Sequence, residues 1–386
     1  MKSKSVIDFF MQKRGWSEVK DLLLSWYLTP YLAKVFSVAK NFYFIDGFSG
    51  PGLFDDGKKG SPEIENDLIK KAYESTNNST VKYSLICVEK NKILFDRLTN
   101  NLKENKNVKC INDDIELLLP NLIQNLEKNS FVFIYLDPFG INGLPSNLIT
   151  LCNARKDLKI ELLINFNSSG CYRECMRLLG NTAYNDFFDE NEYLSDKNSS
   201  HERMNCLLGT KKWTDVAGDA KAEYLLSQYF SDNLRKAFKY VLNMPIRNIK
   251  NDMVKYRMIF CSNNIDGALL MADNMLRRSN NAKNSLFSLD IEGNIVDVTK
   301  EVETILDFVP NTNENPIRLN QLILSFYEKK GVVCSPKDLI DYLKMKERNN
   351  EIVVIRYPER SAKGKFTTFW SESNKKTVKI LKKIGI

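Results

Sequence analysis

Short apolar segments alternate with segments of helical periodicity between residues 41 and 166, and this alternation restricts the possible folds more than any other feature. It predicts strands at 42–45, 82–88, 107–111, 131–136 and 160–166, separated by helices at 62–75, 91–104, 114–127 and 145–155. Strands that alternate with helices form βαβ units, which assemble into a mostly parallel sheet. The segment 131–136 is apolar on both faces, as a strand between two helical layers must be. We therefore predict an α/β fold with a Rossmann-like sheet.

The remaining segments are predicted to complete that sheet or to form other domains, because 386 residues exceed one ordinary domain. Residues 1–40 have the apolar spacing of one or two amphipathic helices. Residues 41–280 are predicted to form the Rossmann-like domain, with a polar helical insertion at about 168–235 and a late antiparallel strand. Residues 281–315, rich in Asn and Asp, are predicted to be a linker that leads to a domain at 316–386.

This C-terminal domain has the pattern of a winged-helix unit. It consists of two helices and two strands, predicted at 318–330, 336–346, 351–356 and 366–370. The turn between the strands is basic, and three of its residues are candidates for binding nucleic-acid phosphates: Arg360, Lys363 and Lys365. The lysines that follow, between residues 375 and 383, either add to this surface or are the solvated face of a helix.

The charge balance permits a polyanionic partner without requiring one. The sequence has 56 Lys and Arg against 48 Asp and Glu, a net charge of +8, which fits nucleic-acid binding and also fits simple solubility. The one histidine, His201, would have to carry any Ser-His-Asp triad or histidine metal site alone, so we expect neither.

Eight cysteines are present, and several lie within apolar stretches, where a reduced thiol behaves as a small buried side chain. Cys171 and Cys175 are spaced to share one face of a helix, and with His201 and Cys206 they offer a weak zinc-site alternative to buried thiols. The sequence has neither a secretory signal nor an apolar run of about 20 residues. We expect a cytoplasmic protein with free thiols, no metal and no membrane partner.

The strongest local motif follows the first predicted strand, where residues 44–52 read Phe-Ile-Asp-Gly-Phe-Ser-Gly-Pro-Gly. Three glycines in a turn after a strand let the backbone pass close to a bound ligand. A carboxylate at the strand end suits a ligand with an amine and a sulfonium, and it disfavours a diphosphate. The candidate cofactor-binding residues here are Asp46, Gly47, Phe48, Gly50 and Gly52. The alternative is a plain glycine turn between a strand and a helix.

The next segment, 52–59, nearly fits the spacing of a phosphate-binding P-loop. It lacks the Ser or Thr that binds magnesium, because Lys59 stands in that place, and Asp55 and Asp56 would face the phosphates. A nicotinamide- or ATP-dependent Rossmann enzyme is therefore the weaker alternative.

Acidic residues also follow the next predicted strands. Glu89 is placed to accept both ribose hydroxyls of a nucleoside cofactor, although a solvated charge at a strand end explains it as well. Asp113 or Asp114 is a candidate for the adenine amino group, and helix N-capping explains the same residues.

The sequence Asp137-Pro138-Phe139 follows the fourth predicted strand. It is similar to the Asp-Pro-Pro-aromatic motif of methyltransferases that act on amino nitrogens. In those enzymes the Asp and a prolyl carbonyl accept the amino hydrogens while the ring stacks on the base. We therefore name Asp137, Pro138 and Phe139 as candidate catalytic residues, against the alternative of a tight turn without a catalytic role.

Taken together, these motifs resemble the three-Cys-motif partner protein family over roughly residues 10–280. The resemblance rests on the aromatic N-terminal helix, on the motif at 44–52, on Asp56-Gly57 through Gly60-Ser61-Pro62, on Asp137-Pro138-Phe139-Gly140 and on the late segment 256–260 before a helix. It implies a class I S-adenosylmethionine-dependent methyltransferase fold and a separately encoded partner with a three-cysteine motif. The motif at 44–52 also resembles that of large-subunit rRNA adenine-N6 methyltransferases, whose doubled proline this chain lacks.

The sequence therefore predicts a methyltransferase that uses S-adenosylmethionine and acts on nucleic acid, with RNA preferred over DNA. A binding or regulatory partner protein that has kept the fold but lost turnover is the main alternative.

Overall fold

The computed structural model describes residues 10–11, 15–138, 140–141, 143–181, 197–216, 218–247, 254–281 and 289–383 of the chain. The chain divides into two compact units, residues 1–263 and 264–386, and each is described by itself.

The first unit alternates helices and strands. Its described helices are α1 (Gly15–Val38), α2 (Ser61–Ser75), α3 (Lys92–Leu102), α4 (Ile115–Asn125), α5 (Leu148–Ala154), α6 (Ser168–Leu178), α7 (Lys197–Leu208) and α8 (Ala222–Leu234). Its strands are β1 (Asn41–Asp46), β2 (Lys82–Val88), β3 (Val108–Ile111), β4 (Phe131–Leu136), β5 (Lys159–Phe166), β6 (Tyr240–Arg247) and β7 (Val254–Ser262).

In the described part of the chain, these seven strands form one sheet in the order β3-β2-β1-β4-β5-β7-β6. Strands β1 to β5 pair in parallel, whereas β7 is antiparallel to both β5 and β6. The predicted fold class is confirmed: this is a Rossmann-like, mostly parallel sheet with one late antiparallel strand. Because β1 lies between β2 and β4, the carboxyl ends of β1 and β4 flank the point where the strand order reverses.

Helix α1 covers one face of the sheet with aromatic side chains. Tyr27 and Tyr31 are buried, and their rings lie 5.8 Å and 5.5 Å from the ring of Phe133 on β4. Phe44 on β1 stacks on the same Phe133 ring at 5.1 Å. Ile45, which points to the opposite face by strand alternation, belongs to the core that includes side chains of α4. Both faces of the central strands are therefore covered, which explains their continuous apolar sequences.

The predicted helical insertion at 168–235 contains α6, α7, α8 and a 3-10 turn at Lys212–Val216, and residues 182–196 and 217 lie outside the described part. Cys171 and Cys175 are both buried on α6, and Cys175 donates a hydrogen bond to the Trp213 carbonyl oxygen at 3.4 Å. All eight cysteines lie in described ranges, and none of them forms a disulfide.

The second unit contains helices and a small antiparallel sheet. Its described elements are α9 (Ile265–Asn281), α10 (Val298–Glu303), a 3-10 turn (Thr304–Phe308), β8 (Ile317–Arg318), α11 (Leu319–Lys330), α12 (Pro336–Arg348), β9 (Ile352–Tyr357) and β10 (Thr377–Lys382). The strand order is β8-β10-β9. The proposed limits of the C-terminal domain and of its linker stay predictions, although the 281–315 segment includes α10 and the 3-10 turn.

One predicted strand of this unit is wrong. The partner of β9 is β10 at 377–382, and residues 366–370 belong to the long connection between them. The lysines between 375 and 383 therefore do not lie on a helix. Val378 and Ile380 of β10 are fully buried, and this alternation of buried and exposed positions is what makes the lysine-rich segment a strand.

No helix of either unit, within the described residues, combines the length and the apolar character needed to cross a membrane.

Candidate functional site

The polar residues predicted as a site lie where the parallel strands end. Asp46 is the last residue of β1, Glu89 directly follows β2, and Asp137 directly follows β4. The backbone joins β1 to β4 at this edge, because the Gly47 N–H donates to the Tyr135 carbonyl oxygen at 2.9 Å. In open α/β sheets, ligands bind outside the carboxyl ends of the strands at the point where strand order reverses. Asp46 and Asp137 flank that point.

Asp46 is a fully buried carboxylate held by two donors. Its Oδ1 accepts the Phe48 N–H at 3.0 Å, and its Oδ2 accepts the Ser61 hydroxyl at 2.8 Å from the first residue of α2. Burial raises the pKa of Asp46 to about 7, the two hydrogen bonds oppose that rise, and the negative charges of Asp137 and Glu89 add to it. A cation placed beside Asp46 would favour its ionised form.

The glycines after Asp46 serve the turn itself, and their α-carbons face protein side chains. A Cβ on Gly47 would lie 2.7 Å from the side chain of Leu136, and one on Gly50 would lie 2.8 Å from the ring of Phe10. Gly50 and Gly52 also have φ angles of 58° and 79°, which L-residues rarely adopt. A role for this backbone in binding a ligand stays a prediction. The glycines are required by close packing and by a left-handed backbone.

Phe48, between the glycines, points towards the connection that follows β4. A Cβ on Gly143 would lie 2.7 Å from the Phe48 ring and 3.2 Å from Pro138. The structure therefore brings Phe48 and Pro138 together around Gly143. Phe139, the third predicted catalytic residue, lies outside the described residues.

Glu89 is tied to the glycine turn. Its Oε2 accepts the Gly50 N–H at 2.9 Å, and its Oε1 accepts the Asn91 N–H at 2.7 Å. Burial raises the pKa of Glu89, and these backbone hydrogen bonds oppose the rise. Each carboxylate oxygen can accept a second hydrogen bond, so Glu89 can still bind a hydroxyl group.

The two acids after β3 have separate roles. Asp114 caps α4, because its Oδ1 accepts the Glu116 N–H at 2.9 Å, and its Oδ2 pairs with Lys90 at 2.8 Å. Asp113 is exposed and accepts the Asp114 N–H at 2.7 Å. Capping therefore accounts for Asp114 and leaves Asp113 as the candidate for ligand binding.

Asp137 is held by side chains from three elements. Its carboxylate forms a salt bridge with Lys20 of α1, accepts the Asn165 side-chain amide of β5 at 2.7 Å, and lies 3.4 Å from the Tyr135 hydroxyl of β4. The Lys20 side chain is 7% exposed and that of Asp137 is 24% exposed, so the ion pair is largely shielded from water. The carboxylate is thus fixed in position and neutralised.

Four residues that the sequence did not identify lie around these carboxylates: Lys20, Ser61 and Asn165, whose contacts are given above, and Glu65, whose fully buried carboxyl group neighbours Asp46. Asn165 lies near the carboxyl end of β5, so the rule that located the acids could have found it. Ser61 precedes a proline at the start of a helix, which signals an N-terminus but not its partner. Lys20 and Glu65 lie within helices and carry no local signal.

The predicted nucleic-acid-binding residues lie between β9 and β10. The Arg360 guanidinium lies 4.0 Å from the centre of the Phe366 ring and donates to the Gly364 carbonyl oxygen at 3.0 Å. Lys363 and Lys365 are exposed on the same connection. The structure therefore brings Arg360, Lys363 and Lys365 onto one exposed connection.

Comparison with known proteins gives similarity at the level of solved structures alone. No family model matches the chain, and no curated protein matches it. A protein from Legionella pneumophila is 12% identical over 64% of this chain and 84% of its own, with a TM-score of 0.37. A SAM-dependent O-methyltransferase from Thermotoga maritima is 13% identical over 67% of this chain and 71% of its own, with a TM-score of 0.29. An O-methyltransferase from Bacillus cereus, in complex with SAH, is 11% identical over 65% of this chain and 83% of its own, with a TM-score of 0.31. At such TM-scores the matches carry no argument, and the conclusions below rest on the sheet and the site.

Proposed function

We propose that this chain is an S-adenosylmethionine-dependent methyltransferase. The observation that carries the proposal is the buried Asp46 carboxylate, which lies with Asp137 at the reversal point of the sheet and with Glu89 nearby. S-adenosylmethionine has a sulfonium, an ammonium, a ribose and an adenine, whereas a dinucleotide brings a diphosphate. Clustered carboxylates attract the first ligand and repel the second.

The residues fit this cofactor group by group. Asp46 would bind the cationic methionyl end, and the remaining acceptor capacity of Glu89 suits the ribose hydroxyls. The exposed Asp113 would accept the adenine amino group. When bound, the cofactor supplies an activated methyl group for in-line displacement.

Asp137 would orient the nucleophile. Asn165 and Lys20 fix its carboxylate at the end of β4, where a fixed acceptor can hold an amino or hydroxyl hydrogen of the substrate. Pro138 and Phe139 are proposed to line the same site. Positioning of this kind can supply about 7–11 kcal/mol of the barrier.

The substrate proposed is nucleic acid, and RNA in preference to DNA. In and beside the connection between β9 and β10, cations lie over aromatic rings: Arg360 over Phe366, Lys376 over Phe369, and Arg356 of β9 over Trp370. Phe366 and Tyr357 are 62% and 73% exposed. Exposed rings beside cations that could bind phosphates suit unpaired bases, which are more common in RNA. A separately encoded three-cysteine-motif partner stays a prediction from the resemblance alone.

Calorimetry with S-adenosylmethionine, followed by a labelled-methyl transfer assay on RNA, DNA and protein, tests the proposal. Asp46→Asn is expected to weaken cofactor binding at least tenfold, because a hydrogen-bonded charge contributes about 1.5–3 kcal/mol. Asp137→Asn is expected to keep cofactor affinity within about threefold and to reduce methyl transfer, since loss of a positioned acid–base group typically costs 10²–10⁴-fold. Failure of the wild-type protein to bind S-adenosylmethionine would contradict the proposal.

The nucleic-acid surface is tested by charge reversal. Lys363→Glu is expected to weaken binding to a single-stranded RNA oligonucleotide and to lower the slope of log K against log salt concentration by about 1. Lys300→Glu makes the same charge change at a side chain that is 83% exposed on α10, and it is the matched control. If both variants change RNA affinity and its salt dependence equally, the connection between β9 and β10 has no specific role in RNA binding.

The alternative of a silent partner protein has one observation in its favour. Asp137 is already neutralised by Lys20, so a substrate amino group would meet an occupied carboxylate. A wild-type protein that binds the cofactor but transfers no label to any polymer would favour this alternative.

A further inference from the structure

Glu65 is a buried carboxyl group without a hydrogen-bond donor. It lies on α2 with no exposed surface, and neither of its oxygens accepts a hydrogen bond from any residue that the structure describes. Burying an ionised carboxylate in this way is very unfavourable, so such a group is either protonated or paired with a cation. Hence Glu65 needs a proton or a ligand that the described residues do not supply.

The position of Glu65 links it to Asp46. Ser61, at the start of α2, donates to Asp46, and Glu65 lies four residues later on the same helix face. The pKa of Glu65 is raised well above its ordinary value by burial, and then by the neighbouring carboxylates of Asp46 and Asp21. Two ionised carboxylates have no proton between them, so Glu65 and Asp46 can hydrogen-bond only when one of them is protonated.

A metal ion is not the indicated occupant. Within the described residues, no group of three or more His, Cys, Asp or Glu side chains has the arrangement of a metal site. An ammonium group has three donors, and a pair of carboxyl groups offers acceptors for them.

We propose that Glu65 and Asp46 together bind the α-ammonium group of the methionyl end of S-adenosylmethionine, and that a proton shared by the two carboxyls leaves when the ammonium enters. This inference rests on the proposed function and adds to it a residue and a proton exchange. Glu65 would then select cofactors that carry the amino group.

Calorimetry with two ligands tests the inference. S-adenosylhomocysteine carries the ammonium group, and 5′-methylthioadenosine lacks the whole amino-acid portion. Glu65→Gln is expected to weaken S-adenosylhomocysteine binding about tenfold or more and to leave 5′-methylthioadenosine binding unchanged, because a hydrogen bond to a charged group is lost. Glu74→Gln makes the same change at an exposed position of α2 and is expected to alter neither.

A second measurement needs no variant. At pH 6.5, titrations in buffers of different ionisation enthalpy are expected to show proton release when the wild-type protein binds S-adenosylhomocysteine and none when it binds 5′-methylthioadenosine. The deaminated 2-oxo analogue of S-adenosylhomocysteine is expected to bind more weakly than the parent and without proton release.

The outcomes separate the inference from the proposed function. If the wild-type protein binds neither S-adenosylmethionine nor S-adenosylhomocysteine, the methyltransferase proposal and this inference fall together. If it binds both, but Glu65→Gln binds S-adenosylhomocysteine as tightly or loses both test ligands equally, the inference alone is overturned. Equal proton release with and without the ammonium would also overturn it.

Discussion

Two buried carboxyl groups on the same face of the sheet, Asp46 and Glu161, have nearly the same pKa and very different surroundings. Asp46 ends β1, and Glu161 lies on β5, beside Phe133 in the strand register. Burial raises the pKa of each to about 7. The raised pKa alone therefore does not distinguish a structural group from a functional one.

Their neighbours do distinguish them. Glu161 accepts hydrogen bonds from the hydroxyls of Tyr27 on α1 and Ser262 on β7, one on each oxygen, and no acidic neighbour contributes to its pKa. Around Asp46, the charges of Asp137 and Glu89 raise the pKa further, and the carboxyl group of Glu65 lies nearby with no donor among the described residues. Glu161 has a hydrogen-bond donor from the protein on each oxygen. The surroundings of Asp46, by contrast, carry excess negative charge that a cation would balance.

The largest expected effect comes from removing Tyr27, one of the two hydrogen-bond donors to Glu161. Tyr27 is fully buried, and its ring lies 5.3 Å from Tyr31 and 5.1 Å from Phe260 in addition to its contact with Glu161. Tyr27→Ala is expected to lower the free energy of unfolding by about 3–5 kcal/mol, because it leaves a cavity and removes a donor from a buried carboxyl. Denaturant titration measures this. Leu22 lies on the same helix and is 46% exposed, so Leu22→Ala is the control and is expected to change stability by less than about 1 kcal/mol.

The next largest expected effect is on how the free energy of unfolding depends on pH, to which both Glu161 and Asp46 contribute. The folded pKa of Glu161, about 7, lies above its unfolded value near 4.5, so the folded state binds more protons between these values. Its contribution is fully present below pH 4.5 and is lost as the pH rises towards 7. Glu161→Gln cannot ionise, and it is expected to remove a decline on the order of 3 kcal/mol between pH 4.5 and 8.

Asp46→Asn is expected to flatten the same part of the curve, because Asp46 also has a folded pKa of about 7. Bound S-adenosylhomocysteine should reduce the change of unfolding free energy with pH that Asp46 contributes, and it should leave the contribution of Glu161 unchanged. A ligand effect on both slopes would contradict the distinction between the two groups. Unfolding curves at each pH, with and without ligand, provide the measurement.

The sequence was sufficient for most of the central sheet. Predicted strands at 82–88 and 131–136 coincide with β2 and β4, because each apolar run ends sharply at polar residues. The strand ends also located Asp46, Glu89 and Asp137, since the carboxyl ends of parallel strands meet at one edge.

Contacts between residues that are far apart in the sequence could not be predicted from local patterns in the same way. The segment 366–370 is rich in aromatic and β-branched residues, which favours a strand, yet its Phe366 and Trp370 rings lie against arginines. Lys20 and Glu65 reach the site from helices, and nothing in their local sequence fixes how those helices lie on the sheet. Glu65 in particular reads as an ordinary helical glutamate until its burial is known.

The smallest expected effects come from the two serine hydroxyls, which offer a matched test. Ser61 donates to Asp46 at 2.8 Å, and Ser262 donates to Glu161 at 2.9 Å. Each Ser→Ala change is expected to lower stability by about 1 kcal/mol, the usual contribution of one hydrogen bond. Ser61→Ala is also expected to weaken S-adenosylmethionine binding several-fold at pH 7, because Asp46 loses a donor that favours its ionised form. Ser262→Ala is expected to leave the affinity unchanged. If the two variants weaken binding equally, or if Ser61→Ala has no effect on binding, then Asp46 does not bind the cofactor. The difference between the surroundings of Asp46 and Glu161 would then have no functional meaning.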